Sequence, residues 1–230
     1  GEPLLDPFCR SGTLVIEAAT QAAGLAPGLP GARRKGHGFF RFADCDRQLA
    51  ATIVQELEAR VREPTGSFQA SDLDPAAVAA ARQSAAAAGL AEFITIQQQH
   101  FEEVAPAGDP GLVVTNPPYG ARLAAPRAAA IFRRLGDWLK ASCGGWRAAV
   151  LAPAPAAKAI GLKPHRRLPL ANGPIDCRLV ELVIRPREER RPTPPAAGQA
   201  AELPAPEQAE GRRPSVRGVG HQVGAFRRRL

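Results

Sequence analysis

Residues 67–89, SFQASDLDPAAVAAARQSAAAAG, contain a complete passage from strand to helix, and nothing else in the chain restricts its fold so tightly. SFQAS predicts a short strand. Asp74 is placed to accept the first free amides of a helix, and Pro75 to occupy the first helical position, where a missing N–H does no harm. Gly89 then ends the helix as a left-handed residue. The same alternation recurs on both sides. PLLDP (3–7) predicts a buried strand and SGTLVIEAATQAAG (11–24) a helix closed at Gly24. A Gly/Pro-rich loop, 25–38, leads to a helix over about 44–62. FITIQ (93–97), GLVVT (111–115) and WRAAVLA (146–152) predict further strands, with a helix over about 128–142 before the last of them. RLPLANGPIDCRLVELVI (167–184) predicts two strands around the turn NGP. Repeated β–α units imply an α/β fold, a mostly parallel sheet covered by helices on both faces. In such sheets ligands bind beyond the carboxyl ends of the strands.

After Ile184 the composition changes. Residues 185–230 are rich in Pro, Ala, Gly, Arg and Glu and lack aliphatic periodicity, so they predict a basic disordered tail. The folded region is then 1–184. The chain has 230 residues and 45% apolar content, enough for one core. No apolar run approaches the roughly 18 residues of a membrane span, and no signal peptide is evident. The chain opens on GEPLLDPF without an initiator Met, which reads as a domain cut from a longer protein. Cys9, Cys45, Cys143 and Cys177 are too far apart for a CxxC metal site. Reduced thiols in a cytoplasmic protein are expected. A net charge of +8 favours a polyanionic partner, although a basic tail accounts for much of it.

Three strand ends carry residues suited to chemistry. In DPFCRSGT (6–13) an acid ends a strand, and a turn of small residues leads into a helix, so that backbone amides can approach a ligand. A tight strand–helix turn with no ligand satisfies the same residues. In SDLDP, Asp72 ends the next strand, where a carboxylate can accept both hydroxyls of a ribose, while Asp74 is the helix cap. TNPPY (115–119) is the most specific. A nucleobase amine is a poor nucleophile because its lone pair is delocalised into the ring. The Asn116 side-chain oxygen and the Pro117 carbonyl can accept its two hydrogens and favour a pyramidal nitrogen. The prolines keep the acceptors preorganised. Tyr119 offers a face on which a base stacks, worth about 1–3 kcal/mol.

DPFCRSGTLVIEAA, SDLDPAAVAAAR and TNPPYGARL resemble the methyltransferase domain of the RlmL-type ribosomal RNA guanine-N2 methyltransferases. The likeness continues through GGWRAAVLA (144–152) and NGPIDC (172–177), two blocks that separate this group from DNA amino-methyltransferases sharing only NPPY. The resemblance implies a Rossmann-like class I methyltransferase with a seven-stranded sheet, using S-adenosylmethionine and no metal. Asp6, Pro7, Phe8, Cys9, Arg10, Ser11, Gly12 and Thr13 would form the loop beside the cofactor's methionine end. Asp72 would hold its ribose and Leu73 its adenine. Asn116, Pro117, Pro118 and Tyr119 would hold the guanine, and Asn116 would also border the cofactor. Transfer from a sulfonium carbon is an in-line displacement in which positioning supplies much of the rate, and a structured base must first be unstacked into the pocket.

Two positions depart from the family's pattern. Arg10 stands where glycine is usual: it points at solvent, pairs with the methionine carboxylate, or crowds the loop. His100 stands where an acid or amide usually meets the adenine amine: its imidazole accepts that bond, or it has no role there. The helix that usually precedes the first strand, and an RNA-binding THUMP domain, are absent from the sequence. The tail and Arg33, Arg34 and Lys35 would then be the phosphate contacts. The leading expectation is methylation of guanine N2 in large-subunit ribosomal RNA. Transfer RNA guanine-N2 or DNA amino-methylation keeps the fold and changes the target. A degenerate fold acting as an RNA-binding module is a reading of another class.

Overall fold

The computed structural model describes residues 1–29, 38–108, 110–120 and 125–189. Seven strands form one sheet in the order β3-β2-β1-β4-β5-β7-β6. They are β1 (Leu4–Asp6), β2 (Phe68–Asp72), β3 (Ile94–Gln98), β4 (Leu112–Thr115), β5 (Arg147–Pro153), β6 (Arg166–Asn172) and β7 (Ile175–Val183). The first five are parallel, and β7 runs antiparallel between β5 and β6. The α-helices are α1 (Thr13–Ala22), α2 (Arg47–Glu58), α3 (Pro75–Ala87) and α4 (Ala125–Ser142).

Alternate strand residues feed two cores, one on each face. Leu4, Phe68, Ala70, Ile94 and Ile96 pack with α1 and α3, whereas Leu5, Val113, Ala148 and Val150 pack with α4. The expected sheet with helices on both faces is therefore present. Gly136 lets α4 approach the short helical turn Ala156–Ile160, since a Cβ there would lie 1.8 Å from the Ile160 carbonyl oxygen.

Local chemistry accounts for the helix ends. Asp74 accepts the Ala76 amide at the start of α3, and Pro75 is its first residue. Both α1 and α3 close on a left-handed glycine. Leu25 N–H reaches the Thr20 carbonyl past Gly24, and Leu90 N–H reaches Ala85 past Gly89. α2 is shorter than the expected 44–62: Asp46, not Asp44, caps it, accepting from Gln48 and Leu49. Its last turn then tightens, with Arg60 and Val61 bonding three residues back. α4 begins three residues before the expected Ala128.

The chain divides into Gly1–Arg191 and Pro192–Leu230. The second unit lies outside the described residues, as do Arg33, Arg34 and Lys35 and the tail beyond residue 189. Among the described residues no helix is long and apolar enough to cross a membrane.

Candidate cofactor cleft and acceptor turn

The sheet order reverses between β1, which is followed outward by β2 and β3, and β4, on its other side. That switch point is where an open α/β sheet leaves a crevice, and here two side chains bridge it. Thr115 at the end of β4 donates its hydroxyl to Asp6 Oδ1 at the end of β1, 2.8 Å away. The Phe8 amide donates to the same oxygen at 3.1 Å. Both side chains are buried, Asp6 being 1% exposed. Burial pushes the Asp6 carboxyl up to about 7, against the two hydrogen bonds, which favour its charged form. Asp6 braces the site from beneath.

The turn above it is held from β2. Arg10 has φ 50°, the one non-glycine residue in the left-handed region among the described residues. Asp72 supports that conformation: Oδ2 accepts the Arg10 amide at 2.9 Å, while Oδ1 accepts the Asp74 amide at 3.0 Å. The Cys9 amide reaches the Ser71 carbonyl at 2.9 Å, and the Gly12 amide closes the turn on Cys9 at 2.7 Å. Gly12 has φ 81° where α1 begins, and a Cβ there would lie 3.2 Å from that of Ala81 in α3. Burial, first of several causes, pushes the Cys9 thiol up to about 12, so it stays protonated.

A cleft of about 710 Å³ opens over these strand ends. Phe8, Arg10 and Ser11 line it on one side and Asp72 and Leu73 on another. Leu73 is a large apolar side chain left 62% exposed, a natural rest for a flat apolar ligand. His100 and Phe101 close one end, and Ile131 and Arg134 reach in from α4. Phe101 packs against Phe8 with centroids 4.8 Å apart, and the Arg134 guanidinium lies 5.7 Å from its ring centroid. His100 Nδ1 accepts the Glu102 amide at 3.3 Å, capping the turn Phe101–Glu103, and Nε2 lies 3.5 Å from Arg134. Arg134 also pairs with Glu102, whose carboxyl its hydrogen bonds hold below the usual range.

Pro118, on the turn after β4, lines this cleft, and its neighbour Tyr119 lines a second pocket of about 300 Å³. Pro153, Pro155, Ala128 and Ile175 complete that apolar slot. Tyr119 is 7% exposed. Asn172 Nδ2 donates to its hydroxyl at 2.8 Å, and the Cys177 thiol points to the same oxygen from 3.7 Å. Burial, the largest cause, raises the phenol. On the same turn Asn116 borders neither pocket, and its Oδ1 is buried with no hydrogen-bond partner; Ser71 Oγ is the other such side-chain atom among the described residues. A buried orphaned carbonyl is costly and rare in folded proteins, so at the end of β4, on the turn that carries Pro118 and Tyr119, it is a candidate acceptor.

Of the residues expected from sequence, Pro7, Phe8, Arg10, Ser11, Asp72, Leu73, His100 and Pro118 line the cleft together. Asp6, Cys9 and Gly12 lie buried in the turn beneath it, Pro117 is buried in the acceptor turn, and Thr13 is exposed on the first turn of α1. Sequence reasoning missed Ala77, Phe101, Ile131 and Arg134 in the cleft and Asn172 behind Tyr119. Ile131 and Arg134, three residues apart on a helix after the NPPY turn, were the available signal.

Six strands running one way, one antiparallel strand inserted before the edge, and a cleft at the β1/β4 switch point define a class I methyltransferase domain. A solved structure of SMU.472, described as a methyltransferase and complexed with SAH, superposes with a TM-score of 0.72 at 24% identity, covering 80% of this chain and 48% of that one. A Listeria monocytogenes protein described as a predicted N6-adenine-specific DNA methylase gives 0.67 at 27% identity, covering 80% and 47%. The chain belongs to the RMKL-like methyltransferase domain family, UPF0020, which matches residues 1–181. It is 38% identical over 208 residues to the Ribosomal RNA large subunit methyltransferase K/L of Allochromatium vinosum, across 85% of this chain. The match spans 28% of that relative's length.

Proposed function

We propose that this chain transfers a methyl group from S-adenosylmethionine to the exocyclic N2 amine of a guanine in large-subunit (23S) ribosomal RNA. The observation that carries the reading is Asn116 Oδ1, an unpartnered buried acceptor on the turn whose Pro118 lines a cofactor-sized cleft and whose Tyr119 lines an apolar slot. The family and the similarity to ribosomal RNA methyltransferases supply the substrate class.

The cleft's donor set fits the cofactor. Each Asp72 oxygen already accepts one backbone amide, and a carboxylate oxygen keeps a second lone pair for a ribose hydroxyl. Leu73 lies open for the adenine face. Arg10 projects into the cleft from its strained turn and pairs with the methionine carboxylate. With Nδ1 engaged by the Glu102 amide, His100 can meet the adenine edge only through Nε2, beside Arg134. S-adenosylmethionine, when bound, supplies a methyl group already activated on a sulfonium.

The remaining work is positional. Asn116 Oδ1 and the Pro117 carbonyl accept the two amine hydrogens, which draws the nitrogen lone pair out of conjugation and along the line of attack. Tyr119 flanks the base, and the fixed φ of Pro117 and Pro118 keeps the acceptors in place before substrate arrives. The amine sheds its proton to solvent after transfer. The positive net charge favours phosphate contacts. A THUMP-type RNA-binding region elsewhere in the full-length protein, and a cytoplasmic site of action, belong to the same proposal.

The test is to incubate the chain with labelled S-adenosylmethionine and unmodified ribosomal RNA, transfer RNA or DNA, then identify the labelled nucleoside by mass spectrometry. N2-methylguanosine from ribosomal RNA alone is expected. Label in transfer RNA or in N6-methyladenine of DNA would replace the substrate. Cofactor-independent RNA binding with no label anywhere would support a degenerate binding module.

A further inference from the structure

The β6–β7 hairpin contributes nothing to the cofactor cleft, yet two of its side chains converge on one atom of the acceptor turn. Asn172, the last residue of β6, donates Nδ2 to the Tyr119 oxygen at 2.8 Å, and the buried Cys177 thiol of β7 approaches it to 3.7 Å. Asn172 pairs with Ile175 across a turn whose Gly173 has φ 58°. Ile175 also packs on the residue after Tyr119: a Cβ on Gly120 would lie 2.7 Å from its Cδ1. β7 is in turn paired with β5 from Arg147↔Val183 to Pro153↔Cys177, so the anchor stands on a long ladder.

We infer that Asn172 is a positioning residue for the target purine: it holds the Tyr119 hydroxyl, fixes where the ring lies beside the apolar slot, and makes the hairpin a determinant of base binding. The inference rests on the methyl transfer proposed above. A tyrosine ring has two side-chain torsions. The NPP turn fixes its backbone end but neither torsion, whereas a hydrogen bond at the hydroxyl, which lies on the ring's long axis, fixes the direction of that axis and so the first torsion, leaving rotation about the axis to the packing of the buried ring. Stacking depends on where the ring lies, so a ring free to swing about its first torsion would lose part of the alignment between the base amine and its acceptors. The hydrogen bond from Asn172 also favours the phenolate, opposing the upward push of burial on the phenol.

Tyr119 is the only tyrosine in the chain, so its phenol can be observed alone. The full chain carrying Tyr labelled with 13C at Cζ gives one resonance, whose shift and titration midpoint report the hydroxyl's partners. In Asn172→Ala the resonance moves and the midpoint rises. The kcat/KM for RNA falls about three- to tenfold, the scale of one lost neutral hydrogen bond, while cofactor affinity measured by calorimetry is unchanged. Asn172→Gln, which retains the donor, recovers part of both readouts. An unmoved resonance and midpoint in Asn172→Ala would show that no clamp exists. A moved resonance with unchanged kcat/KM would show that the clamp does not position the reaction. Either result overturns the inference while leaving the methyl-transfer reading intact. Failure of that reading is separately visible as absence of transfer by the wild-type chain, and it takes this inference with it.

Discussion

Replacing Asp6 with Asn is predicted to stabilise the protein above neutral pH and to remove much of its pH dependence. The carboxyl is 1% exposed, and burial raises it from 3.8 to about 7 in the fold. Between those values the native state binds a proton that the unfolded chain does not. The contribution is therefore fully present below about pH 4 and declines as the pH rises to about 7, beyond which the charged form is carried at full cost. At about 1.36 kcal/mol per pH unit, the interval corresponds to about 4 kcal/mol as an upper bound. Asparagine keeps an oxygen for the Thr115 hydroxyl and the Phe8 amide but cannot ionise. Urea unfolding of both proteins at several values between pH 5 and 8 isolates the term, because other titrating groups cancel in the difference. Asp6→Asn should gain on the wild type as pH rises from 5 to about 7 and level off above it, by about 2–3 kcal/mol over this range. A difference that stays constant with pH, or shrinks as pH rises, would refute the argument that Asp6 is buried near its neutral form.

Other perturbations follow from the same geometry. Arg10→Gly relieves the left-handed strain at φ 50° and should raise stability by about 1 kcal/mol or less, while weakening S-adenosylmethionine binding in calorimetry; tighter binding would end the proposed carboxylate pairing. Asn116→Ala removes the unpartnered acceptor and should lower kcat by about 10²–10³-fold with little change in melting temperature. Gly136→Ala drives a methyl into the Ile160 carbonyl and should cost about 3 kcal/mol or more by denaturant unfolding. RNA affinity should fall linearly in log–log form with salt concentration; a flat response would remove phosphate contacts as the source of binding.

What could be read from the sequence was whatever depends on neighbours in the chain. Asp74, Pro75 and Gly89 act within a few residues of where they stand, and the cap, first turn and closing turn of α3 follow from them. The bounds of α2 were less legible because Asp44 and Asp46 are both credible caps, and only the folded backbone shows which carboxylate meets two free amides. The cleft divides the same way. Asp72 stood out at a strand end, but its bond to the Arg10 amide, 62 residues away, did not. That bond gives Arg10 a structural part in the site whatever its side chain does, because a left-handed non-glycine residue persists only where surrounding contacts hold it.

The acceptor turn shows how far a short motif can reach. In the proposed reaction Asn116 and the prolines preset two acceptors through the chain's own stiffness, so that half of the site is written in four consecutive letters. Its other half is the position of a ring, which the turn alone leaves free. Asn172 stands 53 residues further on, and β7 must fold back between β5 and β6 before its amide meets the Tyr119 hydroxyl. An antiparallel strand inserted there brings the tip of the β6–β7 hairpin to the end of the sheet that holds the cofactor cleft. A seventh parallel strand would have delivered a strand end in place of a hairpin, without a paired residue facing the ring. The reversal of β7 therefore does more than finish the sheet: with β6 it brings Cys177 and Asn172 to the Tyr119 hydroxyl.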